Sequence, residues 1–316
     1  MRAPVPVLVE ESPGRAARTP WQIFWRRFRR DRPAFVGLMI IIGLVTLALT
    51  APLIVRWGNH HPPTALYSRE ALNQEFGTPL GPNGRFWFGA DPSGRDLFSR
   101  ILYGARASLL IALVATGLSV SVGVAMGLLG GYYRGWVDTA ISRLTDTLLA
   151  FPILLLALGL GVACARGTGC LGGLVKPGLF LVVLVISFVN WPYLARIVRG
   201  QVLSLREREF IHAARMIGSG DLGIMVREIL PNLMAPVTVY ASLIIPANIL
   251  LEAALSFLGE GIPPPNPSWG QMIADSIGTF TSAWWYFLFP GLFLLGTVLA
   301  FNLVGDGIRD ALGPRH

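Results

Sequence analysis

REREFIHAARMIGSGDLGIMVREILPNLMAP, from Arg206 to Pro236, is a polar, helix-patterned island between two long apolar segments. Glu207 and Glu209 open it, where the positive end of a helix dipole favours carboxylates. Phe210, Ala213, Ala214 and Ile217 follow at i, i+3, i+4 and i+7, one apolar stripe on a helix of about eleven residues. Arg208, His212 and Arg215 lie on its other faces. A helix that short is marginal alone, so its stripe needs a partner. The two alanines flatten the stripe and admit another backbone. Gly218 and Gly220 supply a C-terminal break, and Ser219 or Asp221 caps a second helix over Leu222–Leu230. Pro231 then marks a turn into the next apolar segment. The pattern fits either a helix resting on a bilayer or a helix docked into a partner.

The flanking sequence makes this an all-α, polytopic membrane protein. The chain is 53% hydrophobic and 14% charged, with a mean hydropathy of +0.57. Six stretches approach or exceed the ~20 apolar residues that cross ~30 Å of hydrocarbon as a helix. They are Ala34–Val55, Ser108–Leu129, Thr147–Ala165, Leu179–Ala195, Leu233–Leu255 and Tyr286–Val304. Only the fifth contains a charged residue, Glu252. Continuous apolar runs exclude the alternating strands of a membrane barrel.

Arginine placement sets the expected orientation. With the N-terminus cytoplasmic and six crossings, cytoplasmic pieces carry 18 of the 26 basic residues, the positive-inside pattern. The external loop after the first span holds six of the other eight, and at about fifty residues it is long enough for the rule to weaken. The net charge of +8 therefore reads as topology and attraction to anionic lipid headgroups. It does not read as nucleic-acid binding, because the basic residues sit on separate loops. In WQIFWRRFRRDR, Trp21, Phe24, Trp25 and Phe28 share one helical face, as in a helix lying in the inner leaflet before the first span.

Cys164 and Cys170 fall at the outer end of the third span, where either a disulfide or two thiols is compatible with the spacing. Two cysteines without nearby histidine make no zinc shell, and His60 and His61 read as solvated loop residues, so no metal site is expected. No P-loop, GxSxG or HExxH occurs and no histidine lies in a span, which argues against catalysis in this chain. A secondary transporter needs buried ionisable groups, and only Glu252 is available. Prolines inside spans free backbone carbonyls, so Asn190, Pro192, Pro246 and Glu252 are candidates to line a path.

The island resembles the EAA loop of bacterial ABC importer permeases, E-A-A-x3-G-x9-I-x-L-P. Ala213, Ala214, Gly218, Leu230 and Pro231 match in register, while His212 stands where that pattern has glutamate. Arg208, Glu209, Phe210, Arg215 and Ile229–Asn232 bring it closer to the peptide-permease variant of the motif. FGADPSGRDLFSRILYGARASL (Phe88–Leu109), EAALSFLGEGIPPPNPSWGQM (Glu252–Met272) and FNLVGDGIRDALGPR (Phe301–Arg315) resemble the C-type subunit of dipeptide and oligopeptide permeases.

The resemblance implies the type I ABC importer permease fold and a division of the chain. Residues 1–33 form a cytoplasmic tail with an interfacial helix, 34–55 the first span and 56–106 an external loop. Residues 107–305 form a five-helix core containing the coupling loop 206–236, and 306–316 a cytoplasmic tail. It further implies contact with an ATPase through Glu207, Arg208, Glu209, Phe210, His212, Ala213, Ala214, Arg215, Ile217, Gly218 and Asp221. A homologous second permease, two ATP-binding subunits and an external substrate-binding protein complete the complex. ATP and Mg reside on the partners, and this chain holds no cofactor. The implied substrates are di- or oligopeptides, with nickel chelates, glutathione or oligosaccharides as alternatives.

Overall fold

The computed structural model describes residues 20–58, 61–165 and 175–313. Among them the secondary structure is helical, with isolated bridges but no longer strand. The helices are α1 (Pro20–Arg30), α2 (Arg32–Trp57), α3 (Ser68–Ala71), α4 (Leu97–Tyr133), α5 (Gly135–Leu149) and α6 (Ile153–Ala165). They continue with α7 (Leu179–Leu205), α8 (Glu209–Met216), α9 (Asp221–Phe257), α10 (Trp269–Ser276) and α11 (Trp284–Leu312). Five are long and apolar enough to cross a membrane, and α5 with α6 makes a sixth if the bent pair counts as one span.

The third predicted span differs from expectation. Thr147–Ala165 is not one helix; α5 and α6 meet at a 91° bend. Pro152 has no N–H to donate and starts α6 by accepting from Leu156 N at 3.0 Å, which suits proline at a helix beginning.

Pro231 also behaves differently. It ends no helix, because α9 runs unbroken from Asp221 to Phe257. Residues Ile224–Ile229 take π spacing, with Leu230 N–H reaching back to Met225 O. Proline, which cannot donate, sits at the start of the regular α-helical stretch that follows.

The most extensive helix packing joins α4 to α7. A Cβ on Gly123, Gly127 or Gly131 would lie 2.9, 2.6 or 2.7 Å from the Cβ of Leu194, Val198 or Val202 respectively. The glycines repeat every four residues, so they form a groove on one face of α4 that accepts a ridge of α7. The first span, α2, lies outside this core. It exposes Val36, Met39, Leu49 and Leu53 and packs on α11 through Gly37, where a Cβ would meet Ala300 O at 2.7 Å. In α1, Phe28 is buried against Ala34 and Ala311, while Trp21 points outward.

The segment between α2 and α4 is ordered by its carboxylates. Asp91 accepts from the amides of Ser93 (2.9 Å) and Arg95 (2.8 Å), and Asp96 caps α4 through Phe98 N. Arg100 is buried, 3.4 Å from Asp91, and donates to the carbonyls of Pro63 and Pro265. It thereby ties this segment to the loop before α10. His61 is not a solvated loop residue: it is buried between the rings of Tyr67 and Phe86. His60 lies outside the described residues. Cys164 is buried and disulfide-bonded, and Cys170 lies outside the described residues.

Candidate functional site

The loop between α7 and α9 is built on the C-terminal ends of α4 and α7. Ile211 and Ala214 of α8 are buried in a cluster with Leu128, Tyr132, Val198, Val202, Ile224 and Met225. Tyr132 is the hub of the anchorage. Its hydroxyl donates to Asp221 at 2.7 Å, and its carbonyl accepts from the Arg206 guanidinium. The guanidinium carbons of Arg206 and Arg215 stand 5.9 and 5.8 Å from its ring centroid, a cation–π arrangement. Arg134, just past α4, donates to Glu207 at 2.6 Å. Both partners are half exposed, so this pair positions the loop more than it stabilises it. Arg199 grips Asp138 of α5 with two parallel hydrogen bonds, fixing α5 against the same end of α7.

The helix is shorter than its sequence suggests. Glu207 lies outside it, Arg208 is its N-cap and Glu209 its first-turn acid. Gly218 takes φ +86°, donates to Arg215 O at 3.0 Å, and lets Ser219 donate to Ala214 O at 3.0 Å. That is the Schellman end for which glycine is suited. Neither Ser219 nor Asp221 caps α9; Gly220 holds the N-cap position without a side-chain bond.

The four residues of the expected apolar stripe do not share one role. Ala214 is 6% exposed and faces the chain's own core, with Ile211 beside it. Ala213 and Ile217 are exposed, Ile217 at 83%, and Phe210 is partly exposed at the edge of the buried face, at 39%. Met216 and Leu222 extend this outward apolar patch, and His212, Glu209 and Arg208 are exposed around it. Sequence reasoning missed Tyr132, Arg134 and Arg206 as anchors, because nothing in their local pattern connects them to α8.

The path-lining candidates lie inside the helical bundle of this chain. Asn190, Pro192, Pro246 and Glu252 are buried among its own helices. Asn190 donates to Asn248 Oδ1 at 2.9 Å, and Asn248 donates to Thr116 at 2.8 Å, joining α7, α9 and α4. Glu252 does not reach water at the membrane boundary. It is 0% exposed and accepts from Ser108 at 3.0 Å and Ser256 at 2.8 Å, with the Ser268 hydroxyl 3.3 Å from that of Ser256. A polar group inside hydrocarbon is costly unless partnered, and Asn190 and Glu252 find partners within the subunit.

Residues 119–316 match the family described as the inner membrane component of binding-protein-dependent transport systems. Residues 19–74 match the N-terminal transmembrane domain of oligopeptide transport permease C. The dipeptide transport system permease protein DppC of Alkalihalophilus pseudofirmus is 40% identical over 299 residues, covering 94% of this chain and 90% of that protein. The chain is an ABC importer permease.

Two glutathione transport system permease proteins GsiD are also similar. That of Pectobacterium atrosepticum is 37% identical over 315 residues, covering all of this chain and 96% of the relative. That of Escherichia coli O157:H7 is 39% identical over 298 residues, covering 94% of this chain and 91% of the relative. As an ABC importer permease the chain is a multi-pass inner-membrane protein and a transport subunit. The first family match includes the whole of α8, so its outward apolar patch belongs to the part of the chain that defines the family.

Proposed function

We propose that this permease forms half of the translocation pathway of an ATP-driven importer of di- and oligopeptides, and that α8 is its coupling helix. The observation that carries the reading is the split face of α8. Ile211 and Ala214 fasten it to the bundle, while Ala213 and Ile217 are exposed and Phe210 partly so. Burying the exposed Ile217 in a partner groove contributes roughly 1.5–3 kcal/mol, and the partly buried Phe210 contributes less. The helix is anchored at both ends, through Arg206 on one side and Asp221 on the other, so a push on it reaches α7 and α9 together. When an ATPase dimer closes, such a lever biases two packings of the spans, one open to each side.

The partners in this reading are a homologous second permease, two ATP-binding subunits that hold ATP and Mg, and an external substrate-binding protein. Residues 206–236 and both termini lie in the cytoplasm. The chain has no GxxxxGK[ST] and takes no cofactor, so hydrolysis belongs to the ATP-binding subunits. The peptide assignment follows the relative named for dipeptide transport. Relatives named for glutathione support a second reading, in which a short peptide of unusual linkage is the cargo. Competition of radiolabelled uptake by dipeptides, oligopeptides and glutathione decides between them. The coupling role is tested by substrate-stimulated ATPase activity of the reconstituted complex carrying Ile217→Asp.

A further inference from the structure

The burial of Asn190, Pro192, Pro246 and Glu252 leaves open which surface of the chain meets the cargo. The exposed faces of the spans differ in chemistry. On α11 the exposed side chains include Phe287, Leu288, Leu292, Leu295 and Leu299, and on α4 they include Leu110, Leu113 and Leu118. Such faces suit lipid. The half of α7 nearer α8 exposes Tyr193, Arg196, Gly200 and Ser204 at i, i+3, i+7 and i+11, one stripe without an aliphatic side chain.

Depth makes this stripe unusual. Tyr193 follows Leu179, the first residue of α7, by 14 residues, which places it about 21 Å along the helix at 1.5 Å per residue. Arg196 lies about 26 Å along by the same rise. Tyr193 falls inside the apolar run Leu179–Ala195 and Arg196 at its inner end, both within the ~30 Å that a span starting at Leu179 covers. Tyr193 is 55% exposed and stacks on Tyr240 of α9, with ring centroids 5.8 Å apart. Arg196 is half exposed and pairs with Asp146 of α5. An exposed phenol and an exposed ion pair at that depth are poorly served by acyl chains and well served by water.

We propose that Tyr193, Tyr240 and Arg196 form the wall of the aqueous path, with the α7 stripe continuing through Gly200 and Ser204 to its mouth. The inference rests on the importer reading above. Its chemistry suits a peptide in transit. The phenol hydroxyls exchange hydrogen bonds with passing amides, and the Arg196 guanidinium offers a carboxylate an alternative to Asp146. The pair with Asp146 keeps the cation neutralised between passages, so the wall attracts a carboxylate without trapping it.

The test is labelling of introduced cysteines by a membrane-impermeant, cationic methanethiosulfonate in the assembled transporter, reconstituted in proteoliposomes and opened with detergent below solubilisation. The parent chain gives the background from its own cysteines. Leu299→Cys, 15 residues into α11 on an exposed aliphatic face, is the lipid-facing control. Because the thiolate is the reacting form and requires water, Tyr193→Cys is expected to label at least about tenfold faster than Leu299→Cys. Gly200→Cys, whose added atom meets nothing within 4 Å, should label as fast as Tyr193→Cys. Labelling of Tyr193→Cys as slow as that of Leu299→Cys overturns the proposal. Should Tyr193→Cys fail to assemble, Arg196→Cys replaces it with the same two outcomes. Labelling reports water at the stripe and not coupling to ATP, so its failure is distinguishable from failure of the α8 assignment.

Discussion

The Tyr132 hydroxyl donates to Asp221 at 2.7 Å, so the last turn of α4 holds the first residue of α9 across the base of α8. Tyr132 is buried and Asp221 is exposed. Tyr132→Phe deletes only this bond, and a loss of about 1 kcal/mol is expected. Asp221→Ala should cost a similar amount, and the double variant no more than either single one, as for residues that share one interaction. Thermal unfolding of the purified permease in detergent measures all three.

Gly127 faces α7 with no room for a side chain, its Cβ position being 2.6 Å from Val198 Cβ and 2.7 Å from Ala195 O. Gly127→Val should overpack the α4–α7 seam by about 1–3 kcal/mol or more and lower the yield of monodisperse protein. Gly117→Ala, on the same helix with nothing within 4 Å, should leave the yield unchanged. Size-exclusion profiles of the two variants make the comparison.

Glu252 serves this chain as a buried acceptor for the hydroxyls of Ser108 on α4 and Ser256 on α9. Glu252→Leu leaves those serines without their shared acceptor, each orphaned group costing about 1–3 kcal/mol. Glu252→Gln keeps an oxygen there and should be milder. Protease susceptibility of the α9–α10 loop should rise in the order wild type, Gln, Leu.

Arg100 is 1% exposed and holds Asp91 together with the carbonyls of Pro63 and Pro265. Arg100→Met leaves Asp91 without that buried cation, and breaking such a pair by removing one partner costs about 3–5 kcal/mol. Limited proteolysis should then cut the segment between α2 and α4, which stays protected in the parent chain.

The apolar runs identified the spans because hydrocarbon demands them, and α2, α4, α7, α9 and α11 stand where the composition places them. Helix ends were less legible. Ser108–Leu129 is only the middle of α4, since Asp96 caps the helix well before the apolar run begins. Pro152 and Pro231 look alike in sequence, yet one starts a helix at a sharp bend and the other sits inside a continuous helix relieved by π spacing. The α4 glycines at every fourth residue carried a packing signal that composition alone did not convey. In the loop around α8, periodicity found the apolar residues but not which of them are buried. Ala214 and Phe210 are one turn apart on neighbouring parts of the helix surface, and only tertiary contacts with Tyr132, Val202 and Ile224 show that Ala214 is covered while Phe210 stays partly exposed.

Coupling of this permease to an ATPase through the exposed face of α8, as proposed, is tested most directly by Ile217→Asp compared with Ala214→Arg. Ile217 is exposed, so Ile217→Asp should leave unfolding and membrane insertion as in the parent, while substrate-stimulated ATPase activity and uptake fall at least about tenfold for loss of an apolar anchor. Ala214 is buried, so Ala214→Arg should instead reduce the amount of folded protein. Full stimulation and full uptake by a correctly assembled Ile217→Asp complex would contradict the account.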